Sequence, residues 1–320
     1  MRASIAVSRM FMREVYWDVS RRMIYLIALF VLAGLLLFAP MPVTPTYLAR
    51  TIENAGHTPL FFLVTLGVLY ALRDDGRFAG PRLYAIAGMV GAGTGFLSEL
   101  IQMPLARDAS WEDVGADAVG AVLALAVYAV FDRRSNLRRR HRGAAILLAC
   151  ACIAIYVTPI VRMARAYVHR NGQFPVLADF HSRIELYWTV SIGVNREIVD
   201  DVLQVDLIAE NYPGVSFHEP VPDWRGYKTL VIEVENPDVV ALNLGVRVHD
   251  RLHKRAFRDR FNRHFPLAPK ERRTLNIPLE DIHHGPRDRL MDMAHISDVT
   301  LYRVGAAGSH ELRIYSMRLE

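Results

Sequence analysis

The chain has 320 residues, of which 52% are hydrophobic and 22% charged, with two cysteines and a formal net charge of +5. That length leaves room for two or three domains, and the hydrophobic share is slightly above what a soluble protein carries. The positive balance does not point to nucleic acid, because the arginines gather at the ends of apolar runs where membrane topology accounts for them.

Composition divides the chain. Residues 1–22 are basic, with Arg2, Arg9, Arg13, Arg21 and Arg22. Apolar runs then follow at Met23 to Ala39, Thr58 to Leu72, Leu83 to Leu100, Val114 to Phe131 and Ala144 to Val161. A helix needs roughly 20 mostly apolar residues to cross the hydrocarbon, and tilt or flanking residues absorb a shortfall. The reading is an all-α polytopic membrane domain of about five transmembrane helices over residues 23–161. A basic stretch before an apolar run also has the form of a signal peptide, but no small-x-small cleavage site follows Phe38, so the first run is read as a retained anchor.

Arginine positions set the orientation. Besides the N-terminal group, Arg73, Arg77 and Arg82 lie between the second and third runs, and Arg133, Arg134, Arg138, Arg139, Arg140 and Arg142 follow the fourth. The alternate loops hold only Arg50 and Arg107. The positive-inside rule then places the N-terminus in the cytoplasm and everything after the fifth helix outside, in a multi-pass protein of the cytoplasmic membrane.

Within the third run, "GMVGAGTGF" has the glycines of a nucleotide loop but neither the preceding strand nor the polar context. Gly91 and Gly95 instead form a G-x-x-x-G face for close helix packing. Cys150 and Cys152 are one residue apart in the fifth run, face different directions on a helix and read as small apolar filler.

Between the third and fourth runs, "GFLSELIQMPLARDASWEDVGADAVG" carries concentrated charge. Glu99 and Gln102 are three apart and share a helical face, as do Asp113 and Asp117, four apart where the next helix begins. Ser110 and Asp113 have capping-box spacing. His57, at the start of the second run, falls on the same outer side by the topology above. The bland reading is a set of solvated loop residues with a helix cap; Glu99, Gln102 and Asp117 are the ones deep enough to need partners.

His57 to Leu72 together with "SELIQMPLARDASWEDVGADAVGAVL" resembles the VanZ-like membrane protein family, whose pattern is a histidine opening one helix, then E-x-x-Q, an R, a D and an N-x-x-G. The match falls on His57, Glu99, Gln102, Arg107, Asp113 and Gly120, and covers about residues 39–133; Asp117 stands where the family has asparagine. The resemblance implies a polar site at the outer membrane face formed by His57, Glu99, Gln102, Arg107, Asp113 and Asp117, and a link to glycopeptide-type antibiotic resistance.

Residues 162–173 read as a linker. From Phe174 the period changes: "RIELYWTVSIGV", "KTLVIEVEN", "ALNLGVRVHD", "RTLNIPLEDI", "DVTLYRV" and "ELRIYSMRL" are short β-rich runs punctuated by Pro, Gly, Asn and Asp. They predict an all-β sandwich or jelly roll over residues 174–320. The stretches "FPVLADFHSRIELYWT" and "IAENYPGVSFHEPVPDWRGYKTLVIEVENPD" with their sequel resemble galactose-binding-like jelly rolls, the fold of many carbohydrate-binding modules.

Trp224, Tyr227, Asp250, Asp259, Arg260 and Asn262 have the chemistry of a sugar site, aromatic faces with planar hydrogen-bonding groups, although aromatics in such runs more often fill a core. His249 and His253 have metal-ligand spacing, and His283 and His284 are adjacent, but loop histidines are solvated by default. No cofactor is expected beyond a structural calcium near Glu210, which rests on analogy with other jelly rolls.

No G-x-S-x-G motif or committed carboxylate pair is present, so the chain reads as non-catalytic. The leading expectation is a cell-envelope protein that handles a surface polysaccharide or glycolipid, with membrane lipid and carbohydrate as partners. The alternatives are a membrane enzyme acting on a lipid-linked glycan and a scaffold for protein partners.

Overall fold

The computed structural model describes residues 22–35, 46–74, 76–78, 80–102, 111–132, 139–208, 212–254, 256–305 and 310–320. The chain divides into two compact units, Met1–Arg162 and Met163–Glu320.

The first unit is helical: α1 (Arg22–Leu35), α2 (Tyr47–Leu72), α3 (Pro81–Gln102), α4 (Trp111–Phe131) and α5 (Arg139–Gln173), the last of which runs on into the second unit. Four helices, α2 to α5, are long and apolar enough to cross a membrane. Among the described residues α1 is apolar but shorter, so by length and composition four of the expected helices are of membrane-spanning size. Outward-facing Leu63, Met89, Leu97, Leu147 and Ile155 are exposed, as lipid-facing side chains are.

Small residues pack this unit. On α2 the buried positions Thr58, Phe61, Thr65 and Val68 recur at helical spacing and form one face. On α4 the buried face is Asp117, Gly120, Ala121 and Ala124. A Cβ at Gly91 would lie 2.1 Å from Thr65 Oγ1, and one at Gly120 would lie 2.3 Å from the Thr58 carbonyl oxygen. Backbone approach is closest between α4 and α2 at Gly120, whereas Gly91 and Gly95 of α3 make room for the side chains of Thr65, Ala121 and Asp117. Thr58 Oγ1 donates to the Ala116 carbonyl at 3.1 Å and fixes the register of α2 against α4.

The second unit is an antiparallel β-sandwich, preceded by the last turns of α5 (Met163 to Gln173). The region 162–173, expected as a linker, is helical to Gln173, and Tyr167 and Arg170 bond to Glu219. Strands β1 (Val176–Ala178), β3 (Val194–Val199), β4 (Val202–Leu207), β6 (Thr229–Glu235), β9 (Arg272–Pro278) and β11 (His310–Leu319) form one sheet in the order β3-β4-β11-β6-β9, with β1 also on β11. Strands β2 (Thr189–Ile192), β5 (Gly214–His218), β7 (Leu242–Asp250), β8 (Phe261–Leu267) and β10 (Ile296–Arg303) form the other, in the order β2-β5-β10-β7-β8. A five-residue helix, α6 (Leu279–His283), follows β9.

Strand alternation fills the space between the sheets. Leu230, Ile232 and Val234 of β6 face Leu275 and Ile277 of β9 across the ladder register and enter the core with Leu244, Val246 and Val248 of β7. On β11 the buried residues are Leu312 and Ile314, then Met317 and Leu319; a bulge between Ile314 and Ser316 absorbs the odd residue and keeps both halves facing inward. The segment "RIELYW", expected as a strand, is instead a 3-10 turn (Arg183–Trp188), because Ser182 Oγ caps it by accepting from the Ile184 amide.

Candidate functional site

A group of polar residues comes together in each unit.

In the helical unit, His57 near the middle of α2 places Nδ1 2.9 Å from Asp117 Oδ1 of α4. Glu99 of α3 is 3% exposed and Asp117 1%. One donor atom from each of His57, Glu99 and Asp117 lies within 4.8 Å of the others. Gly95, one turn before Glu99, makes room: a Cβ there would sit 2.5 Å from Asp117 Oδ2. That Oδ2 is buried with no hydrogen-bond partner among the described residues. Asp113 is not part of this triplet; it lines a neighbouring cavity of about 430 Å³ with Asn54, Thr58, Glu112 and Tyr156. Arg107 and the Gln102 side chain lie outside the described residues.

In the sandwich, pairing register places side chains in rows on the outward face of the β2-β5-β10-β7-β8 sheet. One row runs Asn262, Arg247, Thr300, Ser216 across β8, β7, β10 and β5. The next runs His264, Gly245, Tyr302, Gly214, and a third runs His249, Asp298, His218. Tyr302 lies over Gly245, where a Cβ would be 2.5 Å from its ring, and the Arg247 guanidinium stands 4.9 Å from that ring's centroid. Tyr212, 61% exposed, meets Tyr302 edge-on at 6.1 Å. Arg260 stands 5.2 Å above the exposed ring of Phe257.

The electrostatics of this face are unbalanced. Burial pushes the Arg260 guanidinium below its ordinary pKa, the positive charge of Arg247 pushes the same way, and Tyr302 opposes them. The Nε atoms of both arginines are buried without a hydrogen-bond partner among the described residues. Nearby, Asp298 accepts from Ser216 Oγ at 2.6 Å and from Thr300 Oγ1 at 2.6 Å, with His218 Nε2 3.3 Å away. Burial depresses the pKa of His249 despite the pull of Asp298.

The other expected sugar residues have different surroundings. Trp224 is fully buried, donates from Nε1 to the Val221 carbonyl at 2.9 Å and leaves no face for a sugar. Tyr227 packs edge-on to Phe174 at 5.4 Å and lines a cavity of about 370 Å³ with Lys228, Glu280 and His283. Asp250 accepts a paired contact from the Arg289 guanidinium, at 2.7 Å on Nη2, and the Asp292 amide at 2.7 Å. Asp259 accepts from Arg289 Nε at 2.6 Å. Burial raises the Asp259 pKa, but the Arg289 hydrogen bond and the Lys254 amide outweigh it, and the carboxyl stays below its ordinary range. Asp250 and Asp259 are thus engaged in closing a loop, whereas Arg260 and Asn262 belong to the outward face.

Arg247, Tyr302 and Tyr212 were missed from sequence. The signal for Arg247 was present in "ALNLGVRVHD", where alternation sets it opposite the core-facing Val246 and Val248. His249 and His253 stack at 4.5 Å, with no third ligand-type side chain completing a metal group among the described residues. Glu280, His283 and His284 do form such a group on α6 and its C-cap, but Glu280 and His284 are exposed. Glu210, the anchor of the expected calcium, lies outside the described residues.

Fold and sites together define a chain of two parts, apolar helices with a buried polar cluster and an antiparallel sandwich with a cationic, aromatic outer face. No protein-family profile and no curated protein matches it. The sandwich is similar to a family 11 carbohydrate-binding module from Clostridium thermocellum in complex with a β-1,3-1,4-mixed-linked tetrasaccharide, at 14% identity over 45% of this chain and 93% of that one, with a TM-score of 0.37. A family 29 carbohydrate-binding module matches at 12% identity over 45% of this chain and 86% of its own, with a TM-score of 0.33. An exo-β-agarase matches at 13% identity and a TM-score of 0.37, over 45% of this chain and 24% of the agarase.

Proposed function

We propose that this is a membrane-anchored glycan-binding protein whose sandwich takes a carbohydrate bearing acidic groups on the face built by Arg247, Arg260 and Asn262. The observation that carries this reading is the pairing of two arginines, each with a buried Nε lacking a partner among the described residues, with exposed aromatic rings at Tyr212 and Phe257. Planar guanidinium groups suit the two oxygens of a carboxylate or sulfate, and aromatic rings suit the C–H faces of a sugar. Neutral glycans leave the two guanidinium groups without a counter-charge, so acidic ones are preferred.

The long apolar helices support anchoring, and the arginine distribution of the sequence supports a sandwich held outside the cytoplasm. On this reading the role lies in the cell envelope, with a surface polysaccharide or a glycolipid as ligand. Defence against a surface-acting glycopeptide is the narrower version, carried by the VanZ-like pattern alone.

Because the sandwich has a complete core of its own, Met163–Glu320 is the fragment for a glycan-array screen with acidic and neutral oligosaccharides. Binding to uronate- or sulfate-bearing chains, weakening as salt rises and falling at least about tenfold in Arg247→Ala and Arg260→Ala, is the expected result. Absence of any glycan ligand, or binding indifferent to both substitutions, overturns the reading.

A further inference from the structure

The buried triplet in the helical unit brings together three side chains of metal-ligand type. Two carboxylates and an imidazole from three different helices meet here, with Glu99 and Asp117 almost fully buried. Transfer of an ionised carboxylate from water into such a site is costly unless a counter-charge compensates it. His57 engages only Oδ1 of Asp117, and Oδ2 has no partner among the described residues. Local packing keeps the group together. Gly95 lets the Asp117 side chain lie against α3, Gly120 brings α4 onto the Thr58 carbonyl, and the Thr58 to Ala116 hydrogen bond locks the residue beside His57 to the residue beside Asp117.

We propose that His57, Glu99 and Asp117 form a binding site for a divalent first-row transition ion. Metal–donor distances of about 2.0–2.2 Å hold the ligands within about 4.4 Å of one another. The three donor atoms already lie within 4.8 Å, so small rotamer adjustments close the set. One imidazole nitrogen with two carboxylate oxygens suits zinc, manganese or iron; calcium prefers a larger, all-oxygen shell, and magnesium keeps most of its water. Three protein ligands also leave a coordination position open, as in sites where a metal meets a ligand rather than only bracing a fold. The site is independent of the sandwich and of the glycan reading.

The experiment uses the full chain in detergent, without a histidine tag, stripped with chelator and titrated with zinc by calorimetry. Cobalt serves as a spectroscopic probe. One tightly bound zinc per chain is expected, with visible cobalt bands and a melting temperature that rises with zinc concentration. Asp117→Asn and Glu99→Gln, which keep side-chain size, should each weaken zinc binding at least about tenfold and remove the cobalt bands. The double variant His283→Ala/His284→Ala, which dismantles the exposed α6 group, should change neither. Failure to bind zinc stoichiometrically, unaltered binding in Asp117→Asn and Glu99→Gln, loss of binding in the α6 variant, or equal affinity for calcium would each overturn the assignment. If the two carboxylate variants prove unstable, His57→Gln provides the same reading from α2.

Discussion

The two units bury charge by different rules. In the sandwich, Asp250 is fully enclosed and meets the Arg289 guanidinium and two backbone amides. In the helical unit, Asp117 is equally enclosed and, among the described residues, meets a single imidazole through one oxygen. Packing differs in parallel: large side chains such as Trp224, Phe217 and Leu244 fill the sandwich, whereas glycine, alanine and threonine bring α2, α3 and α4 together. The sandwich is built around a large apolar core, and the helical unit around close contacts that gather His57, Glu99 and Asp117 from three helices.

The sharpest way to break this comparison is to remove the guanidinium that makes Asp250 tolerable. Arg289→Ala leaves a buried carboxylate without its counter-ion and should cost about 3–5 kcal/mol, read as a shift of the urea midpoint of Met163–Glu320. Arg225→Ala, which deletes the exposed pair with Asp223, is the control and should leave the midpoint in place. A similar loss in both variants would mean that burial of Asp250 is not what makes its pair matter.

Next in size is Gly120→Ala. The new Cβ would meet the Thr58 carbonyl oxygen at 2.3 Å, and backbone cannot move aside cheaply. A loss of about 1–3 kcal/mol is expected, visible as a lower melting temperature in detergent. Gly93→Ala, whose Cβ meets nothing within 4 Å, should be neutral. Equal tolerance of both would refute backbone-to-backbone packing of α2 and α4.

A smaller effect concerns Glu185, which has no solvent exposure. Its Oε2 accepts the Asp179 and Phe180 amides, both at 3.1 Å, and so holds the left-handed turn at Phe180. Burial raises its pKa to about 8 against the pull of the Phe180 amide, and the neighbouring Asp179 charge adds to the rise. The folded state thus binds this proton more tightly than the unfolded state, whose ordinary value is 4.5. Its contribution is fully present below pH 4.5 and is lost as pH rises through about 8. Glu185→Gln keeps an oxygen for both amides and should flatten the stability profile between those limits, gaining on the parent at pH 9. Parallel profiles for parent and variant would remove Glu185 from this role.

Much of the architecture was legible because membrane helices and half-buried strands announce themselves through composition and period. The runs that became α2 to α5 needed only hydropathy, and β6 or β7 only alternation. His57, Glu99 and Asp117 stood out for a related reason, since an ionisable group in an apolar stretch demands an explanation. Long-range pairing was not legible. Nothing near Asp250 in sequence announces Arg289, and a sugar-like list of aromatics and carboxylates could not separate Trp224, which fills the core, from Arg260 and Asn262, which do not. The outward face, much of it covered, depends on register across four strands, and register is a property of the assembled sheet.

Strand β11 carries one last consequence. It pairs with β4, β6 and β1, so three strands made earlier in synthesis share a neighbour that is made after all of them. Until residues 310–319 leave the ribosome, Leu203, Leu230 and Val176 lack the partners that will cover their edges. The β3-β4 and β6-β9 pairs can form without β11, but they join into one sheet only once it is made, through non-local pairing of the kind that goes with slower folding. The helices, whose hydrogen bonds are local, have no such delay, and the chain is in that sense ordered in time as well as in space.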